Sequence, residues 1–131
     1  MPWTPRDITE TELALLRMLW KRGPSTIREL AARLYPGGTH AHYATVQSLL
    51  DRLEQKASVA RSKRGRLNVF TATVSRGEII ARRLRETADA LCDGSMAPLL
   101  SHLVTAMDLS DDELATLEAM VERLDRESEG V

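Results

Sequence analysis

Residues 43–56 read Y-A-T-V-Q-S-L-L-D-R-L-E-Q-K, and residues 59–70 read V-A-R-S-K-R-G-R-L-N-V-F. In the first stretch, apolar residues recur at helical spacing and predict one buried helix face, made of Val46, Leu49, Leu50 and Leu53. In the second stretch, two short runs flank Gly65, and glycine readily adopts the positive φ that a tight hairpin turn often needs. We therefore expect a helix over 43–55 and a β-hairpin over 59–71.

Both elements leave polar groups free. The helix face opposite the apolar stripe carries small and polar residues, with Thr45 and Arg52 beside it: Ala44, Gln47, Ser48, Asp51 and Gln55. The hairpin concentrates positive charge in its four cations Arg61, Lys63, Arg64 and Arg66. Cationic side chains on one small loop suit phosphate groups, so a nucleic-acid partner is indicated.

Two further helices are predicted before this stretch. Thr9 and Glu12 form a capping box, as do Thr26 and Glu29, and each box marks a helix start. Gly23-Pro24 and Pro36-Gly37-Gly38 mark the ends of these two helices. Three short helices and a hairpin indicate a winged helix-turn-helix, in which the third helix enters the major groove of DNA. The predicted fold class is mainly α (α+β).

The remaining chain is predicted to be helical as well. Boxes at residues 75–78 and 110–113 open two helices, and a short helix lies between them. The last helix has an apolar seam, Leu114, Leu117, Val121 and Leu124, which is too short for an autonomous coiled coil. A second subunit that covers this seam is the economical solution, whereas folding back onto the first domain is the alternative. We expect a winged-helix domain over 1–74 and a helical dimerisation domain over 75–131.

The charge distribution supports this division. Residues 1–74 contain 12 Lys and Arg against 6 Asp and Glu, whereas residues 75–131 contain 6 against 13. A basic half gains free energy on DNA by counterion release, and an acidic half avoids it. Two ordinary solvated surfaces would give the same charge pattern, so charge alone does not decide between them.

Several classes of protein do not fit the sequence. No apolar run approaches the length of a membrane span, and the opening M-P-W-T-P-R-D has no signal core, so we expect a cytoplasmic protein without direct membrane association. Phosphate loops, nucleophile elbows and H-E-x-x-H are missing, so neither an enzyme nor a cofactor is expected. His40 and His42 could chelate a metal, but no further ligand is near them in sequence, and no metal site is expected. The single cysteine, Cys92, is expected to be a small buried residue on a helix.

The order of several segments resembles the BlaI/MecI penicillinase-repressor family along nearly the whole chain. These segments are I-T-E-T-E-L-A-L-L-R-M-L-W, G-P-S-T-I-R-E-L, Y-A-T-V-Q-S-L-L-D-R-L, G-R-L-N-V-F, V-S-R-G-E, D-G-S-M-A-P-L-L-S-H-L-V and D-L-S-D-D-E-L. The resemblance implies an N-terminal winged helix, a C-terminal dimerisation region and a homodimer that represses a stress- or antibiotic-response operon from a dyad operator. It also implies release after a regulatory protease cleaves the dimerisation region.

The resemblance, together with the charge and apolar patterns, assigns roles to particular residues. The groove-contacting and phosphate-contacting set is Tyr43, Ala44, Thr45, Gln47, Ser48, Arg52, Lys63, Arg64 and Arg66. The dimerisation set is Ile80, Leu84, Leu91, Leu99, Leu103, Leu114, Leu117, Val121 and Leu124. The cleavage site of the family matches His102-Leu103, although Leu103 as a core residue and His102 as a surface residue is the simpler interpretation. Ala57 stands where the family usually has a glycine.

Two other functions remain open. The winged helix could be a protein-interaction module whose basic hairpin docks an acidic protein partner. A small-molecule sensor would need a pocket at the domain junction, and an aromatic content of 4% is sparse for an aromatic-lined pocket. Salt and sequence dependence of binding to duplex DNA separates the protein-interaction module from the repressor.

Overall fold

The computed structural model describes residues 8–105 and 108–129. The expectation that the chain opens without a signal core concerns residues 1–7, which lie outside the described residues. The chain divides into two compact units, Met1–Glu86 and Thr87–Val131. None of the helices in the described parts has the length and apolarity that a membrane span requires.

Six helices and three strands follow one another along the described residues. In chain order they are α1 (Glu10–Arg22), β1 (Ser25–Thr26), α2 (Ile27–Leu34), α3 (His40–Gln55), β2 (Val59–Arg64), β3 (Leu67–Ala72), α4 (Arg76–Leu91), α5 (Ala97–Thr105) and α6 (Asp111–Glu129). Helices dominate and one small sheet accompanies them, so the predicted mainly α class with a winged helix is confirmed.

The first two helices begin at the predicted capping boxes. The Thr9 amide donates to Glu12 Oε1 at 3.0 Å, and the Glu12 amide donates to Thr9 Oγ1 at 3.2 Å. The box of Thr26 and Glu29 repeats this geometry at 2.9 Å and 3.2 Å. Gly23 ends α1 with φ +83°, a conformation that glycine adopts without steric cost. Local capping chemistry therefore fixes both starts.

Helix α3 begins at His40, three residues earlier than its predicted start at Tyr43. Thr39 is the extended N-cap residue, and its amide donates to Nδ1 of His42 at 3.0 Å. An imidazole thus takes the place that Glu or Gln holds in an ordinary capping box, which is why the box signature did not reveal this start. His42 also stacks on Tyr35, with ring centroids 4.5 Å apart.

The sheet is antiparallel, in the order β1-β3-β2. Arg64 pairs with Leu67 at the hairpin end. Gly65 in the turn has φ +63°, the positive φ that the sequence predicted for this glycine. On the other side of β3, Ser25 pairs with Phe70. The short strand β1 was not predicted, because two residues between a helix end and a capping box carry no strand pattern of their own.

The core of the first unit is built from the predicted stripe of α3 and from apolar residues of the neighbouring elements. Its members include Leu15, Leu16, Leu19, Leu30, Val46, Leu49, Leu50, Leu53, Val59 and Phe70. All four predicted α3 residues are buried. Because one face of α3 is fixed in this core, its opposite face is turned outwards.

A charged pair is buried beside this core. Nζ of Lys56 donates to both carboxylate oxygens of Glu12, at 2.8 Å and 2.9 Å. The side chains are 2% and 0% exposed. The pair joins the N-terminal turn of α1 to the residue that follows α3. Next to it, Ala57 has φ +58°, a left-handed conformation that costs a non-glycine residue about 1–2 kcal/mol.

The first compact unit extends to Glu86 and so passes the expected domain boundary at residue 74. The contacts that carry it further lie at the start of α4. Trp20 Nε1 donates to the Val74 carbonyl at 2.7 Å, Ile79 is 5% exposed, and Arg83 pairs with Glu10 at 3.2 Å. The sequence changes from net basic to net acidic at residue 74, but the packed contacts of the first unit continue beyond that position.

The later helices begin as predicted. The box of Ser75 and Glu78 precedes α4, and that of Ser110 and Glu113 precedes α6, with both amide-to-side-chain hydrogen bonds present in each. We had expected Cys92 to be a buried residue on a helix, but it is half-buried and lies just after α4. The α4 helix ends there because Asp93 and Gly94 both have positive φ.

Candidate nucleic-acid interface

The outer face of α3 presents the residues that the sequence assigned to groove contacts. Every member of that set is exposed: Tyr43, Ala44, Thr45, Gln47, Ser48 and Arg52. Their exposure follows from the burial of the opposite stripe, since 3.6-residue periodicity places the two sets on opposite sides. The Thr45 hydroxyl donates to the Ala41 carbonyl at 2.9 Å, which leaves its methyl group and its oxygen lone pairs for other contacts.

The start of α3 is held close to the end of α2. Gly38 makes this possible, because a Cβ at this position would lie 2.8 Å from both His42 Nδ1 and the Tyr35 carbonyl oxygen. Nδ1 of His42 accepts from the Thr39 amide and is therefore already used within the chain. Within the described residues, no group of three His, Cys, Asp or Glu side chains is placed to hold a metal ion.

All four hairpin cations are exposed, and three of them lie closest to the turn: Lys63, Arg64 and Arg66. None of the three makes an ion pair with the described part of the chain. Glu29, on α2, has a lowered pKa, mainly because it accepts a hydrogen bond from the Thr26 amide, and the nearby charge of Arg64 contributes. The hairpin tip therefore carries a positive field.

Arg61, the fourth cation, is used differently. It pairs with Asp51 at 2.8 Å and with Glu54 at 3.0 Å, both on α3. These hydrogen bonds, led by the one to Glu54, raise the pKa of Arg61 above its usual value. Because Arg61 is paired with carboxylates of α3, we no longer group it with the cations of the loop that face phosphate. The pairing also gives Asp51, an acid on the outward face of α3, a positive neighbour.

A groove joins the N-terminal ends of α2 and α3 to the hairpin. It encloses about 730 Å³ and is lined by Thr26, Ile27, Arg28, Thr39, His40, Tyr43, Arg66, Leu67 and Asn68. Helix N-termini carry partial positive charge and favour anions. The sequence did not reveal this groove. Arg28, directly inside the capping box of α2, was the available signal.

The residues assigned to dimerisation are mostly exposed in the single chain. Seven of the nine are exposed: Ile80, Leu84, Leu91, Leu103, Leu114, Val121 and Leu124. Leu99 and Leu117 are half-buried. Leu91 reaches 81% exposure and Leu124 reaches 60%. Within the second unit, Leu103, Leu109, Leu117 and Met120 line an apolar groove between α5 and α6.

His102 and Leu103 lie on α5, and both are exposed. Leu103 is 46% exposed, so its interpretation as a core residue is wrong for the single chain, while His102 at the surface agrees with that interpretation. The reason is that the short α5 helix has no buried residue at all.

Two comparisons with known proteins found matches. A family model described as penicillinase repressor matches residues 8–123. A solved structure, the solution structure of the DNA-binding domain of the repressor BlaI, is 24% identical with a TM-score of 0.47, over 55% of this chain and 87% of that one. No protein with a curated function matches the chain. Because the family match spans most of the chain, this protein belongs to the penicillinase repressor family, whose members are transcriptional repressors and not enzymes.

Proposed function

We propose that the protein is a homodimeric, sequence-specific repressor that binds a dyad operator with α3 in the major groove. The observation that carries this proposal is the outward polar face of α3 beside three unpaired cations of the hairpin. The polar face of α3 offers hydrogen-bonding side chains to base edges, and the cations of the hairpin offer positive charge to phosphates. The groove at the N-termini of α2 and α3 gives the DNA backbone a place between them.

Particular side chains have suitable chemistry. Gln47 is matched to adenine, which an amide can bind through two hydrogen bonds, and Arg52 is matched to guanine or phosphate. Ser48 and Thr45 are suited to phosphates or thymine methyl groups. Lys63, Arg64 and Arg66 are suited to the backbone alone.

Dimerisation through the second unit is the companion proposal. A single chain exposes a run of large apolar side chains on α5 and α6, including Leu103, Leu114, Val121 and Leu124. Exposed apolar surface of this kind is a common mark of a protein interface. Two-fold symmetry of the dimer would match an inverted-repeat operator with half-sites about one helical turn apart, or a multiple of that distance.

We further propose that a regulatory protease relieves repression of a stress- or antibiotic-response operon by cleaving this region. In the single chain, His102 and Leu103 on α5 are both exposed. Cleavage there would cut α5 in two and remove α6 from the rest of the chain. The dimer, and with it the tight hold on a dyad, would be lost.

The test is selection of bound fragments from random and genomic duplex DNA, followed by substitution of Gln47. Gln47→Ala should cost roughly 1–3 kcal/mol on the selected operator and little on random duplex, with thermal stability nearly unchanged. Gln55→Ala is the matched control, because it removes the same side chain from the far end of the same helix. The recognition helix reads bases mainly with its N-terminal residues, so this control should bind as the wild type does.

Two results would refute the proposal. Selected fragments without an inverted repeat would exclude the symmetric repressor. Failure to retain any duplex at low salt, together with tight binding to an acidic protein, would favour the interaction-module alternative.

A further inference from the structure

We propose that Arg61 is a positioning residue for DNA binding, which holds the β2–β3 hairpin against α3 and masks two carboxylates on that helix. The inference rests on the proposed function, because it concerns how the same surface meets DNA. In the sequence, Arg61 is one of four hairpin cations, and that position alone suggests a phosphate contact.

Arg61 is held from two sides. Its Nε donates to Glu54 Oε2 at 3.0 Å, and its Nη2 donates to Glu54 Oε1 at 3.0 Å and to Asp51 Oδ1 at 2.8 Å. A guanidinium that uses two of its nitrogens on one carboxylate has a defined orientation, which an ammonium could not reproduce. The guanidinium carbon also lies 5.2 Å from the ring centroid of Phe70, the residue paired with Arg61 in the sheet.

These contacts connect two elements that would otherwise meet DNA separately. Phe70 is 1% exposed and belongs to the core, so Arg61 contacts a fixed part of the sheet as well as the helix. The three hydrogen bonds therefore set the distance between α3 and the cations at the hairpin tip. The face of α3 that would contact bases and the cations that would contact phosphates are thereby kept at a fixed spacing.

The pairing also changes the charge that DNA meets. Asp51 lies one helical turn beyond Gln47 and Ser48, and its side chain is 50% exposed. Asp51 and Glu54 without a partner would place two negative charges next to the groove-facing residues and repel phosphate. The charge of Arg61 offsets one of these charges, and its guanidinium donates to both oxygens of Glu54 and to one oxygen of Asp51.

The stability of the protein should depend little on this cluster. The side chain of Arg61 is 38% exposed, and ion pairs at such exposure are partly screened by solvent. A loss of DNA affinity without a matching loss of thermal stability would thus separate a positioning role from a merely structural one.

The experiment compares Arg61→Gln with Lys63→Gln, a neighbouring cation on the same strand, in full-length protein and on the duplex selected above. Each variant is made alone and together with Asp51→Asn and Glu54→Gln, and affinity is measured over a range of salt concentrations. We expect Arg61→Gln to lose affinity about tenfold, within the range that coupled contacting groups show. Removing both carboxylates should restore the part of that loss that comes from their unmasked charge, whereas it should restore little of the loss caused by Lys63→Gln.

The salt dependence gives an independent result. Lys63→Gln should reduce the slope of log affinity against log salt by about 0.9 for each lost phosphate contact, and Arg61→Gln should leave it unchanged. The proposal is overturned if Arg61→Gln binds like the wild type. It is also overturned if its slope falls like that of Lys63→Gln and the carboxylate substitutions restore nothing, because Arg61 would then contact phosphate directly. Failure of the wild type to bind duplex would instead overturn the proposed function itself.

Discussion

Removing the ammonium group of Lys56 should destabilise the first unit severely. Lys56→Met keeps the length of the side chain but leaves the Glu12 carboxylate, which is 0% exposed, without its cation. Breaking a buried ion pair from one side costs about 3–5 kcal/mol, because the remaining charge is uncompensated. Since whole domains are stable by only about 5–15 kcal/mol, this is a large share of the total.

The magnitude can be tested by a double-mutant cycle. Glu12→Gln keeps an oxygen that accepts from the Thr9 amide, so the capping box survives in the variant. It leaves the Lys56 charge buried, and its cost alone should therefore be similar to that of Lys56→Met. The double variant has no buried charge, and apolar or neutral replacements of buried pairs are often close to neutral. We expect it to recover most of the lost stability.

The measurement is urea or thermal unfolding followed by far-ultraviolet circular dichroism. At about 4–8 °C per kcal/mol for a domain of this size, the lower estimate corresponds to a fall of roughly 12 °C in Tm. Lys63→Met is the matched control, because Lys63 is exposed on the hairpin and its substitution should change stability by less than about 0.5 kcal/mol. A loss below 1 kcal/mol for Lys56→Met, or a double variant no more stable than either single one, would refute the reasoning.

Three further outcomes are expected. Ala57→Gly should stabilise the protein by up to about 1 kcal/mol, since relief of the left-handed strain exceeds the entropy cost of glycine; a lower urea midpoint would contradict this. Leu124→Glu should turn the proposed dimer into a monomer in sedimentation equilibrium, because it places a charge on the exposed apolar face of α6, and a persistent dimer would place the interface elsewhere. Substitution of Lys63, Arg64 and Arg66 together by alanine should weaken binding to every duplex alike and lower the slope of log affinity against log salt by about 0.9 per lost phosphate contact. An unchanged slope would exclude these three residues from the DNA surface.

The winged helix could be predicted because its signals are local. Capping boxes such as Thr9 with Glu12, an apolar stripe of period 3.6 and a glycine turn each depend on a few neighbouring residues. The outward face of α3 followed from the same stripe. Local patterns of this kind determine elements and faces, but not the partners that distant residues find.

The parts that could not be predicted depend on such distant partners. Lys56 meets Glu12 across 44 positions, and Arg61 meets Asp51 across 10, so no spacing rule shows either pair. The early start of α3 was missed because a histidine replaces the usual acceptor in its box. The extension of the first unit to Glu86 depends on Trp20 reaching Val74, which charge distribution does not reveal.

The buried pair of Glu12 and Lys56 has a consequence for how this sequence can diverge. A lineage that replaces only one of the two residues must pass through a protein that has lost a large share of its stability, and such intermediates are removed by selection when they fall below the threshold for folding. The two positions should therefore change together or not at all. Among related repressors, those without an acid at the first position should also lack a cation at the second, and a set of aligned sequences in which the two vary independently would show that the pair can be bypassed.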